Sequence, residues 1–218
     1  MADITRNRIV AEDDDDAPEP TPEQVEKLAD AAEKALSGGL EARLFKQRKV
    51  LIFGEINDKI ARAVTAQLLA LAGAEDAPID VFVNSPGGHV ESGDTIHDVI
   101  RFVSATAPVR MIGTGWVASA GALIFLAGAK NHRYCLPNTR FLLHQPMGGV
   151  RGPATDIDIE AKEIIKMRER INRIIARETG QELARVERDT DRNYWMGAEE
   201  AITYGMVAKI VHSATEIG

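Results

Sequence analysis

The stretch from Gly113 to Gly149, GTGWVASAGALIFLAGAKNHRYCLPNTRFLLHQPMGG, constrains this chain more than any other. Residues 111–117 are apolar and punctuated by glycine, as in a buried strand. Ala118-Ser119-Ala120-Gly121 then opens a run of small and apolar residues that reads as a packed helix. Ser119 is therefore expected in a strand-to-helix turn, where free backbone N–H groups and the helix dipole favour negative charge. Taken alone, such a serine is more often a simple helix cap. His144 follows 25 residues later, at the end of the β-type run Thr139-Arg-Phe-Leu-Leu-His, and Gln145-Pro146 stops regular structure after it. A lone histidine there is usually structural. Paired with the serine turn, it becomes a candidate general base.

Composition excludes several other classes. The chain has 218 residues and 44% hydrophobic content, enough for one α/β domain with a sizeable core. Its net charge of -7 is confined to the N-terminus: residues 1–38 hold 11 acidic and 4 basic side chains, and the other 22 acids and 22 bases cancel. The body thus lacks the basic surplus that nucleic-acid binding requires. The longest apolar run, Trp116 to Ala129, is too short to span a bilayer, and no basic region feeds an apolar stretch as in a secretory signal. The single cysteine, Cys135, reads as a small core residue in a reducing compartment, so the expected location is cytoplasmic. No Gly-x-x-x-x-Gly-Lys loop is present for phosphate binding, and no histidine has metal-ligand spacing; neither cofactor nor metal is expected. His89, His97, His132 and His212 read as surface or capping residues.

In chain order, residues 1–20 carry Glu12-Asp-Asp-Asp-Asp16 and prolines and read as a disordered acidic leader. Residues 21–49 read as an N-terminal helix, opened by Thr21-Pro22-Glu23-Gln24 and ended by Ser37-Gly38-Gly39, with a connecting segment. Residues 50–218 form the main domain. Val50 to Ile56 and Pro78 to Val83 read as strands, and a helix carrying Ile60, Val64, Leu68 and Leu71 lies between them. The sharp turn Asn84-Ser-Pro-Gly-Gly88 precedes a second helix with Ile96, Val99, Ile100 and Val103. A third helix spans Pro153 to Glu178, with Ile157, Ile164, Ile171 and Ile175 on one face. This succession predicts an α/β fold with a mostly parallel sheet.

Ser119 in Ala-Ser-Ala-Gly-Ala, then Ala127-Gly-Ala-Lys130, Leu136-Pro-Asn138 and His144-Gln-Pro-Met-Gly-Gly149, resemble the ClpP family, the proteolytic subunits of the Clp protease. Asn84-Ser-Pro-Gly-Gly88 upstream and Glu187-Arg-Asp-Thr-Asp-Arg192 downstream match the same family in the same order. The resemblance covers about residues 50–210 and implies the stacked-spiral ClpP/crotonase fold, with a protruding strand-helix handle at about residues 145–180. It implies a serine endopeptidase that hydrolyses peptides and unfolded polypeptide inside two stacked heptameric rings, homo- or hetero-oligomeric, with an AAA+ unfoldase as partner. Carried onto this chain, Ser119 is the nucleophile, His144 the base, and the N–H groups of Gly88 and Ala120 the oxyanion hole. Asp191 and Arg192 match an Asp-Arg pair that helps the rings associate.

Two departures stand out. The family usually places aspartate at the third triad position, where this chain has Asn193. An asparagine oxygen accepts the same hydrogen bond from the base but carries no charge, so a weakened peptidase is expected. Before the first strand, Leu40 to Lys49 differs from the family's usual segment, which weakens the expectation of an unfoldase partner. The runner-up is a weakly active or scaffold subunit of a mixed barrel that needs a catalytic paralogue. A crotonase-type acyl-CoA enzyme is the distant third, since it shares the oxyanion architecture but needs no serine-histidine pair.

Overall fold

The computed structural model describes Thr21, Glu23, Lys27 and residues 38–217. The chain divides into two compact units, residues 1–42 and 43–218. In the first, Glu23 and Lys27 are helical and form an exposed ion pair of 2.7 Å. The acidic leader and most of the expected N-terminal helix lie outside the described residues.

The second unit is built on a sheet of seven strands among the described residues. β1 (Lys49–Phe53), β2 (Ile79–Ser85), β3 (Val109–Ala118), β4 (Arg133–Cys135) and β7 (Lys209–Ile210) lie side by side in that order, all parallel. β5 (Arg140–Leu143) pairs parallel with the second half of β3, and β6 (Tyr194–Met196) adds antiparallel to β5. β3 thus changes partner along its length, from β4 at Met111–Gly113 to β5 at Trp116–Ala118. The change falls where the β2–β3 register shifts: Val83 pairs with Gly113, but Ser85 pairs with Val117. The extra β3 residues bulge outward, and the Asn84 side chain accepts from the Trp116 N–H at 3.3 Å.

α1 (Asp58–Ala74) follows β1 because Asn57 caps it, accepting from the Ile60 N–H at 3.0 Å, and because Ala61, Val64, Leu68 and Leu71 form its buried stripe. Burial of each larger side chain in that stripe contributes about 2 kcal/mol. α2 (Val90–Val103) buries Ile96, Ile100 and Val103 beside it, and α3 (Ala120–Phe125) is buried along its whole length. α4 (Ala154–Thr179) ends at Gly180, whose φ is 80°. Only its C-terminal half docks: Ile171 and Ile175 are buried, whereas Ile157, Ile159 and Ile165 are exposed. The expected apolar face therefore divides into a docked end and a bare end. The glycine-rich segment 148–152, expected as the strand of the handle, forms no strand in the single chain, because a strand requires a partner ladder and none of the described residues supplies one. α5 (Leu183–Asp189) and α6 (Ala198–Tyr204) complete the body.

Candidate active site

Ser119 occupies the junction between β3 and α3 with φ 54° and ψ -121°, a conformation that costs a non-glycine residue about 1–3 kcal/mol. Neighbours hold it there. Its N–H donates to Leu142 O at 2.9 Å, and its carbonyl accepts from Ala122 at 2.9 Å and Leu123 at 3.1 Å. On the far side, a Cβ placed at Gly87 would lie 2.6 Å from Ser119 Cβ, so only glycine lets the Asn84–Gly88 turn come this close. Gly88 is bound as tightly from the opposite direction: a Cβ there would lie 2.2 Å from Ile56 O. Ile56 donates to Gly87 O at 2.8 Å and accepts from the His89 N–H at 2.9 Å, which leaves the Gly88 N–H outside that ladder. The Ala120 N–H opens α3 and has no intrahelical partner.

His144 directly follows β5. The β5–β6 register pairs Leu143 with Tyr194, and the next step sets His144 opposite Asn193. Their side chains meet, with His144 Nδ1 donating to Asn193 Oδ1 at 3.1 Å. That bond selects the Nδ1–H tautomer and leaves a lone pair on Nε2. Ser119 and His144 line one small pocket, together with Val90, Leu123, Leu143, Ile171 and other apolar side chains. Among the described residues no hydrogen bond joins Ser119 to His144 in the isolated chain.

The loop carrying Asn193 is tied down by α4. Thr190 Oγ1 donates to Asn172 Oδ1 at 2.9 Å, and Arg168 donates to Asp191 Oδ1 at 3.2 Å. Gln145 adds two bonds, from its N–H to Thr190 O at 2.6 Å and from Nε2 to Asp191 O at 2.7 Å. Asp191 thus pairs within the chain, and Arg192 is exposed with no ion pair among the described residues.

Sequence reasoning grouped Ser119, His144, Asn193, Gly88 and Ala120; the structure sets Ser119, Ala120 and His144 around one pocket, bonds His144 to Asn193, and brings Gly87, next to Gly88, against Ser119. Sequence reasoning missed the pocket walls Val90, Leu123 and Ile171, and the Asn84 contact, whose only sequence signal is the Gly-x-Gly pair of β3. Trp116 and Trp195 are both exposed and stack at 6.4 Å, with Arg140 lying 4.4 Å over the Trp195 ring. His97 corrects the expectation of a surface histidine: it is 3% exposed on the inner face of α2, and burial lowers its pKa below the ordinary 6.5. Burial also pushes the Cys135 thiol up to about 12, which keeps it an inert core residue. Among the described residues no group of three His, Cys, Asp or Glu side chains has metal-binding geometry, and no helix is long and apolar enough to cross a membrane.

A strained serine between a glycine turn and a helix start, beside a histidine bonded to an amide oxygen, has the parts that nucleophilic acyl transfer by a serine hydrolase uses. The Clp protease family model matches residues 34–214. The proteolytic subunit 2 of the ATP-dependent Clp protease of Gluconobacter oxydans (strain 621H) is 70% identical over 217 residues, covering 99% of this chain and 96% of that protein. Subunit 2 of Pseudomonas aeruginosa is 54% identical over 183 residues, 84% of this chain and 90% of that protein. Among solved structures, an Asn-to-Asp mutant of ClpP1 from Listeria monocytogenes superposes with a TM-score of 0.76 at 50% identity, covering 82% of this chain and 99% of that one. The unmutated ClpP1 gives 0.74 at 49% over the same shares. The chain belongs to the Clp protease family, as a proteolytic subunit with the ClpP fold, and is a serine-type endopeptidase.

Proposed function

We propose that Ser119, His144 and Asn193 form a working but weakened triad, acting on peptides and unfolded polypeptide inside a double-ring barrel in the cytoplasm. Ser119 Oγ attacks the scissile carbonyl while His144 Nε2 takes its proton, and the tetrahedral oxyanion is held by the N–H groups of Gly88 and Ala120. His144 then protonates the leaving amine as the C–N bond breaks. Water repeats the sequence on the acyl-enzyme and frees Ser119. An oxyanion donor of this kind lowers the barrier by ~3–4 kcal/mol. Asn193 Oδ1 holds the tautomer but gives no charge to the imidazolium that forms, so the second role of an aspartate is lost.

The observation that carries this reading is the 3.1 Å bond from His144 Nδ1 to Asn193 Oδ1, with His144 also lining the pocket that Ser119 borders. Its test is fluorophosphonate labelling with mass spectrometry, beside peptide hydrolysis by the wild type and Ser119→Ala. Label on Ser119 with serine-dependent turnover supports the triad; an intact barrel that shows neither overturns it.

A second reading draws on the absence of a Ser119–His144 hydrogen bond among the described residues and on segment 145–153, which forms no strand in the single chain. In it, the subunit depends on assembly with a stronger paralogue in mixed rings, fed by an AAA+ unfoldase. Asp191 and Arg192 would then contribute to ring contacts, with the bare half of α4 as the handle. Native mass measurement with and without such a paralogue separates the two readings: homomeric active rings remove the second.

A further inference from the structure

Beside the Gly87–Gly88 turn lies a second cluster of serine, histidine and carboxylates. His89 Nδ1 is 2.8 Å from Ser92 Oγ and 3.4 Å from Asp58 Oδ1. Ser92 Oγ donates to Asp58 Oδ1 at 2.6 Å. On the other side of the ring, His89 Nε2 is 3.1 Å from Glu91 Oε2. The cluster is no second nucleophile, because Ser92 is 2% exposed and its hydrogen is committed to Asp58.

With the Ser92 hydrogen on Asp58, the Ser92 oxygen is left to accept from His89 Nδ1, and Glu91 Oε2 lies within hydrogen-bond distance of Nε2 on the other side of the ring.

The ring is placed where it can control Gly88. That residue has φ 145° and no side chain, so the direction of its N–H depends on the anchors at either side. Upstream, Gly87 N–H donates to Ser85 Oγ at 3.1 Å. Downstream, the His89 main chain bonds to Ile56, and its side chain ties the first turn of α1 to the first turn of α2. We infer that His89 is a positioning residue for the oxyanion donor of Gly88, its ring bridged to Asp58 through Ser92 and set against Glu91. The inference rests on the reading of Gly88 as that donor.

The test is kcat and KM for peptide hydrolysis by the full-length protein in the assembly it forms, for the wild type, His89→Ala, His89→Asn, Ser92→Ala and the distant control His212→Gln. His89→Ala lowers kcat about tenfold, with KM unchanged within about twofold. His89→Asn, whose amide N–H can still donate to Ser92, recovers most of that loss, which a merely space-filling role would not require. His212→Gln matches the wild type. Should His89→Ala fail to assemble, Ser92→Ala, which removes the hydroxyl the ring is bonded to, lowers kcat in the same way. If Ser119 labels and turns over while His89→Ala and Ser92→Ala keep the wild-type kcat, this inference alone is overturned. If Ser119 neither labels nor supports turnover, the triad falls and the positioning role falls with it.

Discussion

His144 and Asn193 face each other across the antiparallel pair β5–β6, with Nδ1 of one 3.1 Å from Oδ1 of the other. The pair is partly open to solvent, and its geometry is that of an orienting hydrogen bond without the charge that would stabilise a protonated base.

Asn193→Asp restores that charge at a position already within bonding distance. Turnover of a short peptide is expected to rise by about tenfold or more, mainly in kcat, since the interaction strengthens only as the imidazolium forms. The comparison is made on assemblies of equal mass. An unchanged or lower kcat refutes the orienting role of Asn193.

Ser119 pays for its position in backbone strain. Ser119→Gly, which tolerates φ 54°, should be more stable than Ser119→Ala by about 1 kcal/mol in urea unfolding, and both should be inactive. Equal stability would mean that the surroundings, and not the residue, absorb the strain.

Gly87→Ala places a methyl group 2.6 Å from Ser119 Cβ in a backbone with φ 99°. We expect a loss of about 2 kcal/mol in stability and at least about a hundredfold in kcat, as the oxyanion turn is displaced from the nucleophile. Substrate hydrolysis alongside a melting curve separates the two effects.

Burial lowers the pKa of His97 in the folded protein, and its Nε2 has no hydrogen-bond partner among the described residues. The unfolded chain therefore binds the proton more readily. Stability contributed by the neutral ring is present above the ordinary value of 6.5 and is lost as pH falls from there towards the folded pKa. Urea midpoints should drop over that window in the wild type and drop less in His97→Phe. Parallel curves would place the acid sensitivity elsewhere.

Much of this was legible in the sequence, for identifiable reasons. The helix stripes of α1 and α2 and the β3–Ser119–α3 junction follow from local periodicity and small-residue runs, which need no tertiary information. β7 did not stand out, because a strand of two residues exists only through the neighbours that pair with it. His97 was misplaced for a related reason: a polar residue between Ile96 and Asp98 gives no sign of how deeply α2 is packed. The partner change of β3 was invisible, since it depends on Asn84 reaching across to Trp116. Motif order located Ser119, His144 and Asn193, but the pocket walls come from α2 and α4, far away in sequence.

Ser119, His144 and Asn193 stand at the ends of three neighbouring strands, β3, β5 and β6, and their spacing is consequently quantised. A strand can slip against its neighbour only by whole residues, and a slip of one would turn the His144 partner to the opposite face of the sheet. The backbone frame of the triad is in this sense digital, either in register or absent. The analogue part of the site is the side-chain torsions of Ser119 and His144, and it is there that a graded adjustment of activity has room to operate.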